Sequence, residues 1–246
     1  MKLRLKFILK NPSLPTDYRR IFMSFIKKLI SEPEDGKFFG QICNAANTRP
    51  FTFAVNLPQP KFENGKILLC KNELILTIST GDKFTGYLLF ASALAQRGKP
   101  FAMPLDNQMT LHECSQLSEK LSNSDNVLVK MHSPLCLREH FKDKNKDVYY
   151  SVDSENFAQK SSEILFGQLK SAGFSDEAAK SVEVIPLMSK KTVVTHYESK
   201  IECSIGNFVI KASDKAVINY FLRYGIGSRK SAGFGFAELV SDGKGV

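Results

Sequence analysis

Lys2-Leu3-Arg4-Leu5-Lys6-Phe7-Ile8-Leu9 opens the chain with Leu3, Leu5, Phe7 and Leu9 at every second position, the period of a strand buried on one face. Asn11 to Pro15 breaks this strand, and Thr16 stands ready as a helix N-cap. Tyr18, Ile21, Phe22, Phe25 and Leu29 then fall at helical spacing and make one apolar face. Arg20, Ser24, Lys27, Lys28 and Ser31 lie on the other side, and the helix must stop before Pro33 and Gly36. Arg49 to Leu57 and Lys66 to Ser79 read as strands, and Gly81-Asp82 as a turn. Lys83 to Gln96 reads as a helix with Phe84, Leu88, Ala91 and Ala95 on one side, and Met109 to Leu117 as another strand. Strand, helix, strand, strand, helix, strand is the ferredoxin-like or RRM-like plan.

The polar stretch Lys120 to Asn126 reads as a linker, after which the plan repeats in order of elements though not in residues. Val127 to Met131 is a strand, Arg138 to Asp147 a charged loop, and Asn156 to Ala172 a helix with Phe157, Ile164, Leu165 and Leu169 inward. Strands follow at Val182–Leu187, Thr192–Tyr197 and Lys200–Lys211. Asp214 caps a helix through Tyr224, and Phe234 to Leu239 closes the chain. The expected fold class is α+β: two tandem ferredoxin-like domains, antiparallel sheets with helices on one face. The expected domains are 1–120 and 127–246, which divide the 246 residues into two units of ordinary size.

Composition narrows the functional classes. Hydrophobic residues at 43% and charged residues at 24% are globular values and argue against disorder. The longest apolar run, Tyr87 to Ala95, is about half of the roughly 18 residues a membrane span needs. The alternating N-terminus carries no export signal, so a cytoplasmic protein with no membrane partner is expected. Five scattered cysteines (Cys43, Cys70, Cys114, Cys136, Cys203) with no Cys-x-x-Cys pair disfavour a disulfide framework and a zinc ribbon. No metal site and no cofactor are expected. The formal charge of +9 is concentrated: residues 1–30 hold Lys2, Arg4, Lys6, Lys10, Arg19, Arg20, Lys27 and Lys28 against the single acid Asp17. Such clustering suits a polyanion, whose counterions are released on binding. A basic solvated surface is the bland alternative.

Gly225-Ile226-Gly227-Ser228-Arg229-Lys230-Ser231-Ala232-Gly233-Phe234-Gly235 places four glycines around a basic, hydroxyl-bearing loop between a helix and a strand. Glycine permits positive φ and close backbone approach, and exposed amides, cations and hydroxyls suit an RNA backbone. The spacing is not that of a phosphate-binding Walker loop. Nor is it a dinucleotide fingerprint, since Lys230 stands where the third glycine belongs. A connection that merely allows tight packing is the plain reading of the same glycines.

At these residues the chain resembles the CRISPR repeat-processing endoribonucleases, the Cas-six family of the RAMP superfamily. Arg49-Pro50-Phe51-Thr52-Phe53 is similar to the family's strand after the first helix, and Leu222-Arg223-Tyr224 to the helix end that leads into its glycine-rich loop. The resemblance implies two tandem ferredoxin-like domains, binding of CRISPR repeat RNA, and one cut per repeat in antiviral defence. It implies a metal-independent reaction in which a ribose 2′-hydroxyl attacks the adjacent phosphate. That reaction needs a base, an acid and cations for the charge that builds on phosphorus. The implied partners are the precursor transcript, other CRISPR effector subunits and a second copy in a homodimer.

One departure stands out. Many members place a general-base histidine between the first helix and the Pro-Phe-Thr-Phe strand. Ser31 to Arg49 contains none here; Phe38, Phe39, Gln41 and Asn44 occupy the region, and the first histidine is His112. His112 and His132 read as structural and His140 as solvated in the charged loop; for His196, near Lys190 and Lys191, an RNA contact is the lesser of two readings. The candidate catalytic residues are therefore Lys28, Lys27 and Tyr18, the last with a competing core-packing reading. The candidate RNA contacts are Arg20, Arg49, Lys190, Lys191, Arg223, Ser228, Arg229, Lys230 and Ser231, with Gly225, Gly227, Gly233 and Gly235 shaping the loop. Without a histidine base, the rate is expected to climb with pH and show no inflection near the ordinary histidine value of about 6.5. A non-cleaving RNA-binding subunit of an effector complex is the alternative function. A generic RRM binder is disfavoured, because its Lys/Arg-Gly-Phe/Tyr-Gly/Ala-Phe-Val signature is absent.

Overall fold

The computed structural model describes residues 1–43 and 49–243, arranged in two compact units. The first comprises Met1–Glu119 with Thr195–Glu198 and Ser231–Gly233; the second comprises Lys120–Val194, Ser199–Lys230 and the residues from Phe234 onward.

In the first unit, β1 (Lys2–Leu9) leads through β2 (Ser13–Pro15) to α1 (Arg19–Ser31) and α2 (Phe39–Cys43). Next come β3 (Thr52–Asn56), β4 (Lys61–Glu63), β5 (Lys66–Leu68), β6 (Glu73–Ser79), α3 (Lys83–Ala95), β7 (Pro100–Met103) and β8 (Asn107–Leu117). The main sheet has the order β3-β6-β1-β8-β7 and is antiparallel throughout. Counting β1, β3, β6 and β8 as the four ferredoxin strands gives the order 2-3-1-4 of that fold. The alternation in β1 drives the packing. Leu3, Leu5, Phe7 and Leu9 are buried and share one core with Phe22, Phe25, Ile26 and Leu29 of α1 and Leu88 and Leu89 of α3. Phe7 meets Phe22 and Phe25 edge-on at centroid distances of 6.1 and 5.0 Å, the geometry that ring quadrupoles favour.

Some local expectations are corrected. Thr16 does not cap α1: the helix starts later, and its N-cap residue Tyr18 makes no side-chain capping bond. The strand expected over Lys66 to Ser79 is two, because the exposed Cys70-Lys71-Asn72 turn separates β5 from β6. α3 buries Thr85, Leu88, Leu89, Ser92 and Ala93, while Phe84 and Ala95 are exposed. Small residues let this helix approach closely, with Gly86 beside Met1. Asp82 supplies the cap, accepting from the Phe84 and Thr85 amides.

In the second unit, β9 (Asn126–Met131) precedes β10 (Leu137–Phe141), β11 (Lys146–Tyr150), α4 (Phe157–Ser171) and α5 (Asp176–Lys180). β12 (Glu183–His196), β13 (Ser199–Lys211), α6 (Lys215–Tyr224) and β14 (Ala237–Asp242) complete the chain. The sheet order β12-β13-β9-β14 repeats the 2-3-1-4 pattern. Val127, Val129, Phe208 and Ile210 pack with Leu165 and Leu169 of α4 and Phe221 of α6. Two expected strands merge into the single β12. The closing strand starts at Ala237 rather than Phe234, because Gly235 sits at φ +70, outside strand geometry. The expected charged loop Arg138 to Asp147 is instead an ordered hairpin of β10 and β11, turned at Asn145 in the left-handed region (φ 44). Among the described residues no helix is long and apolar enough to cross a membrane.

Candidate functional site

The glycine-rich loop follows α6, whose first turn is capped by Asp214 accepting from the Ala216 amide at 2.7 Å. Gly225 ends the helix at φ +84. From there the backbone is tied down within the second unit. The Gly227 amide donates to Gln168 Oε1 at 2.8 Å, while Gln168 Nε2 donates back to the Gly225 carbonyl at 2.9 Å. The Ser228 amide donates to the Cys136 carbonyl at 2.7 Å, and the Gly235 amide to the Pro134 carbonyl at 2.8 Å. A Cβ at Gly227 would stand 2.6 Å from the Cys136 carbonyl oxygen. These glycines thus serve close backbone packing. The expectation of amides left open for phosphate is corrected at Gly227, Ser228 and Gly235, whose N–H groups are spent inside the protein.

The loop's cations are also held. Arg229 adopts φ 56, and its Nη2 donates to Asp147 Oδ2 at 3.0 Å and to the Tyr149 hydroxyl at 2.8 Å. Arg138 Nη1 reaches the same Oδ2 at 3.1 Å, and His140 Nδ1 lies 2.8 Å from Oδ1. The hairpin register explains this convergence: Arg138 pairs with Tyr149 and His140 with Asp147, so all four side chains share one face. Burial pushes the Asp147 carboxyl up. The His140 hydrogen bond, the charge of Arg138, the Tyr149 hydroxyl and Arg229 outweigh it and hold the carboxyl below its ordinary range. On the other face Tyr150 donates to Glu139 at 2.6 Å, and Lys160 pairs with Glu139 at 3.1 Å.

Lys230 departs from its expected place as a phosphate contact. It is only 5% exposed, with Nζ donating to the Tyr220 hydroxyl at 3.1 Å. Burial depresses its pKa to about 8. Ser228 accepts from the Arg138 amide at 3.2 Å. Arg223 is half-buried.

In the first unit, Arg49 Nη1 donates to Ser231 Oγ at 3.4 Å and the buried Arg19 donates through Nε to the Gly233 carbonyl at 3.1 Å. A Cβ at Gly233 would lie 2.7 Å from the Phe53 ring. Tyr18 is buried edge-on to Phe22 with the Arg19 guanidinium over its ring at 4.7 Å, so the structure favours its packing role over its catalytic one. Along the polar side of α1, Arg20 is exposed, 3.6 Å from Asp17 and stacked at 4.6 Å on the Tyr197 ring. Lys27 and Lys28 are half-buried; Lys28 lies 3.5 Å from Glu32. His196 is buried, 3.7 Å from Asp17, which fits the larger of its two readings, a residue that does not contact RNA. Lys190 and Lys191 are exposed on β12, the latter 3.2 Å from Glu202. His112 is exposed and His132 pairs with Glu238 at 2.9 Å. His140 is exposed and is also held on Asp147. Phe38 packs on Phe84, Phe39 is half-buried, Gln41 is exposed, and Asn44 lies outside the described residues. Among the described residues no three His, Cys, Asp or Glu side chains gather to hold a metal ion.

Sequence reasoning missed Arg19, Arg138, His140, Asp147 and Tyr149 as parts of these networks. The one local signal was a turn residue, Asn145, followed by the β-prone run Val148-Tyr149-Tyr150.

Two ferredoxin-like sheets in tandem, with a glycine-rich loop after the last helix, define a RAMP-type protein. The family model for the C-terminal part of the CRISPR associated protein Cas6 matches residues 117–239, and the chain belongs to the Cas6 family. It shares its fold with a RAMP protein described as binding different RNA substrates (16% identity, TM-score 0.81, covering 98% of this chain and 100% of that one). It is similar as well to a Cas6-related protein from Pyrococcus furiosus (18% identity, TM-score 0.81, 98% of each chain). A Cas6 product complex aligns at 14% identity and a TM-score of 0.71, over 97% of this chain and 99% of that one. At these identities the likeness is one of fold. No curated protein sequence matches the chain.

Proposed function

We propose that this protein binds CRISPR repeat RNA and cleaves the precursor transcript within each repeat by attack of a ribose 2′-hydroxyl, without a metal. Membership of a family known for binding and processing CRISPR repeat RNA supports this reading. The observation that carries it is the row of cations on the polar side of α1, with Arg20 exposed and Lys27 and Lys28 half-buried. Arg20, Arg49, Lys190, Lys191, Arg223, Arg229 and Ser231 are the proposed RNA contacts. Lys27 and Lys28 are proposed to stabilise the charge that develops on the phosphorane. The proposed domains are residues 1–120 and 127–246, acting in the cytoplasm.

The second reading, a non-cleaving RNA-binding subunit, is favoured by the absence of histidine from Ser31 to Arg49. Incubating the protein with cognate repeat RNA in excess EDTA separates the two. A product carrying a 2′,3′-cyclic phosphate supports cleavage; binding with intact RNA supports the subunit reading.

A further inference from the structure

We propose that the β10–β11 hairpin supplies the general base for this cleavage, with His140 as the base, Asp147 as its orienting partner, and Arg138 and Arg229 as the phosphate-holding cations. The inference rests on the cleavage reading, identifies the group that the region from Ser31 to Arg49 lacks, and assigns to Arg138 and Arg229, in the same unit as His140, the phosphate charge otherwise proposed for Lys27 and Lys28.

Four side chains from two strands and the glycine loop converge on one carboxylate. Asp147 takes His140 Nδ1 on one oxygen at 2.8 Å, and Arg138, Arg229 and the Tyr149 hydroxyl on the other at 3.1, 3.0 and 3.2 Å. Because Asp147 is held in its ionised, acceptor-only form, the imidazole must present a proton at Nδ1. That leaves Nε2 as the basic nitrogen, the division of labour of a histidine oriented by a carboxylate. His140 retains 37% of its side-chain exposure and Arg138 33%, so substrate can reach both. Two guanidiniums against one carboxylate leave net positive charge, and each has further N–H groups for the non-bridging oxygens of a phosphodiester. An imidazole, an arginine pair and no metal suffice in kind for internal transesterification of RNA.

His140 Nε2 takes the 2′-hydroxyl proton as the 2′-oxygen bonds to phosphorus and the bond from phosphorus to the 5′-oxygen breaks. The departing 5′-oxygen takes a proton from water, and the imidazolium returns its proton to solvent. The charged and titratable groups gathered with His140 are Asp147 across the hairpin, Arg138 on its own strand, and Tyr149 and Arg229 around the same carboxylate.

The test is single-turnover cleavage of cognate repeat RNA in EDTA by the wild-type chain and by His140→Ala, across the range in which imidazoles titrate. Affinity is measured in parallel on RNA with a 2′-deoxy residue at the cut. The wild-type rate should climb through an acid limb. His140→Ala should lose that limb and about 100-fold or more in rate, keep its affinity, and regain activity with added imidazole. A wild-type chain that cuts while His140→Ala cuts equally well overturns the base assignment and leaves the cleavage reading standing. A wild-type chain that binds without cutting overturns both. Should the Asp147 network serve only to staple the hairpin to the loop, the variant would lose thermal stability, keep its acid limb and gain nothing from imidazole, which also overturns the assignment.

Discussion

Ile226 and Gly235 meet backbone to backbone across the glycine-rich loop: the Ile226 amide donates to the Gly235 carbonyl at 2.8 Å, and a Cβ on Gly235 would overlap the Ile226 carbonyl oxygen. The loop is thereby pinched at its base. The glycine at 235 is required twice, by its φ of +70 and by the neighbouring backbone that cannot move aside.

Gly235→Ala should therefore cost more than about 3 kcal/mol, since left-handed strain and a backbone clash add. Gly167 is the contrasting case, inside α4 with nothing within 4 Å of an added Cβ. Gly167→Ala should stabilise by about 0.5–1 kcal/mol through helix propensity alone. Chemical denaturation of the two variants beside the wild type checks both signs.

Arg20 is the α1 cation most open to a polyanion, braced by Asp17 and the Tyr197 ring. Arg20→Ala should weaken repeat-RNA binding and flatten the slope of log K against log salt by about 0.7–0.9, the loss of one phosphate contact. Lys230→Met, which removes a cation buried against Tyr220, should leave that slope unchanged. Filter-binding titrations at several salt concentrations read both; equal slopes for Arg20→Ala and wild type would remove Arg20 from the interface.

What the sequence made legible follows from range. The strand of Leu3, Leu5, Phe7 and Leu9, the helix face of Ile21, Phe22, Phe25 and Leu29, and the Asp214 cap are all written in local periodicity, and the tandem sheets follow from their order. Pairing across the chain is not local. Nothing near Arg229 in sequence announces Asp147, and nothing near Ser231 announces Arg49. A charged run such as Arg138 to Asp147 reads as a loop until cross-strand register shows a hairpin on which Arg138 and His140 meet Asp147. The loop cations were readable as cations, but their burial was not: Lys230 is covered by an aromatic residue ten positions away on α6.

The reaction type has a direct check. If a 2′-hydroxyl is the nucleophile, a 2′-deoxy residue 5′ of the cut should abolish cleavage while binding persists, because phosphate and base contacts are retained. Cleavage of the deoxy substrate would exclude internal attack.

Lys230 links the loop's burial to a measurable pH dependence. Burial lowers its pKa from the ordinary 10.5 to about 8. Below pH 8 the lysine is charged in both folded and unfolded chains, and the folded state carries the desolvation penalty in full. Between about 8 and 10.5 the unfolded chain binds more protons, so stability rises with pH through that window. The penalty amounts to roughly 3 kcal/mol, and the hydrogen bond to Tyr220 offsets about 1 of it. Lys230→Met, which keeps the apolar stem and drops the charge, should therefore be more stable than wild type by about 1–2 kcal/mol at neutral pH. The advantage should shrink as pH climbs past 8, where the wild-type lysine folds in its neutral form. Paired urea denaturations of the two proteins at neutral pH and at about pH 9.5 give the comparison. A gap that stays constant with pH would show that the ammonium at residue 230 is solvated in the folded protein, and that the loop presents this cation outward after all.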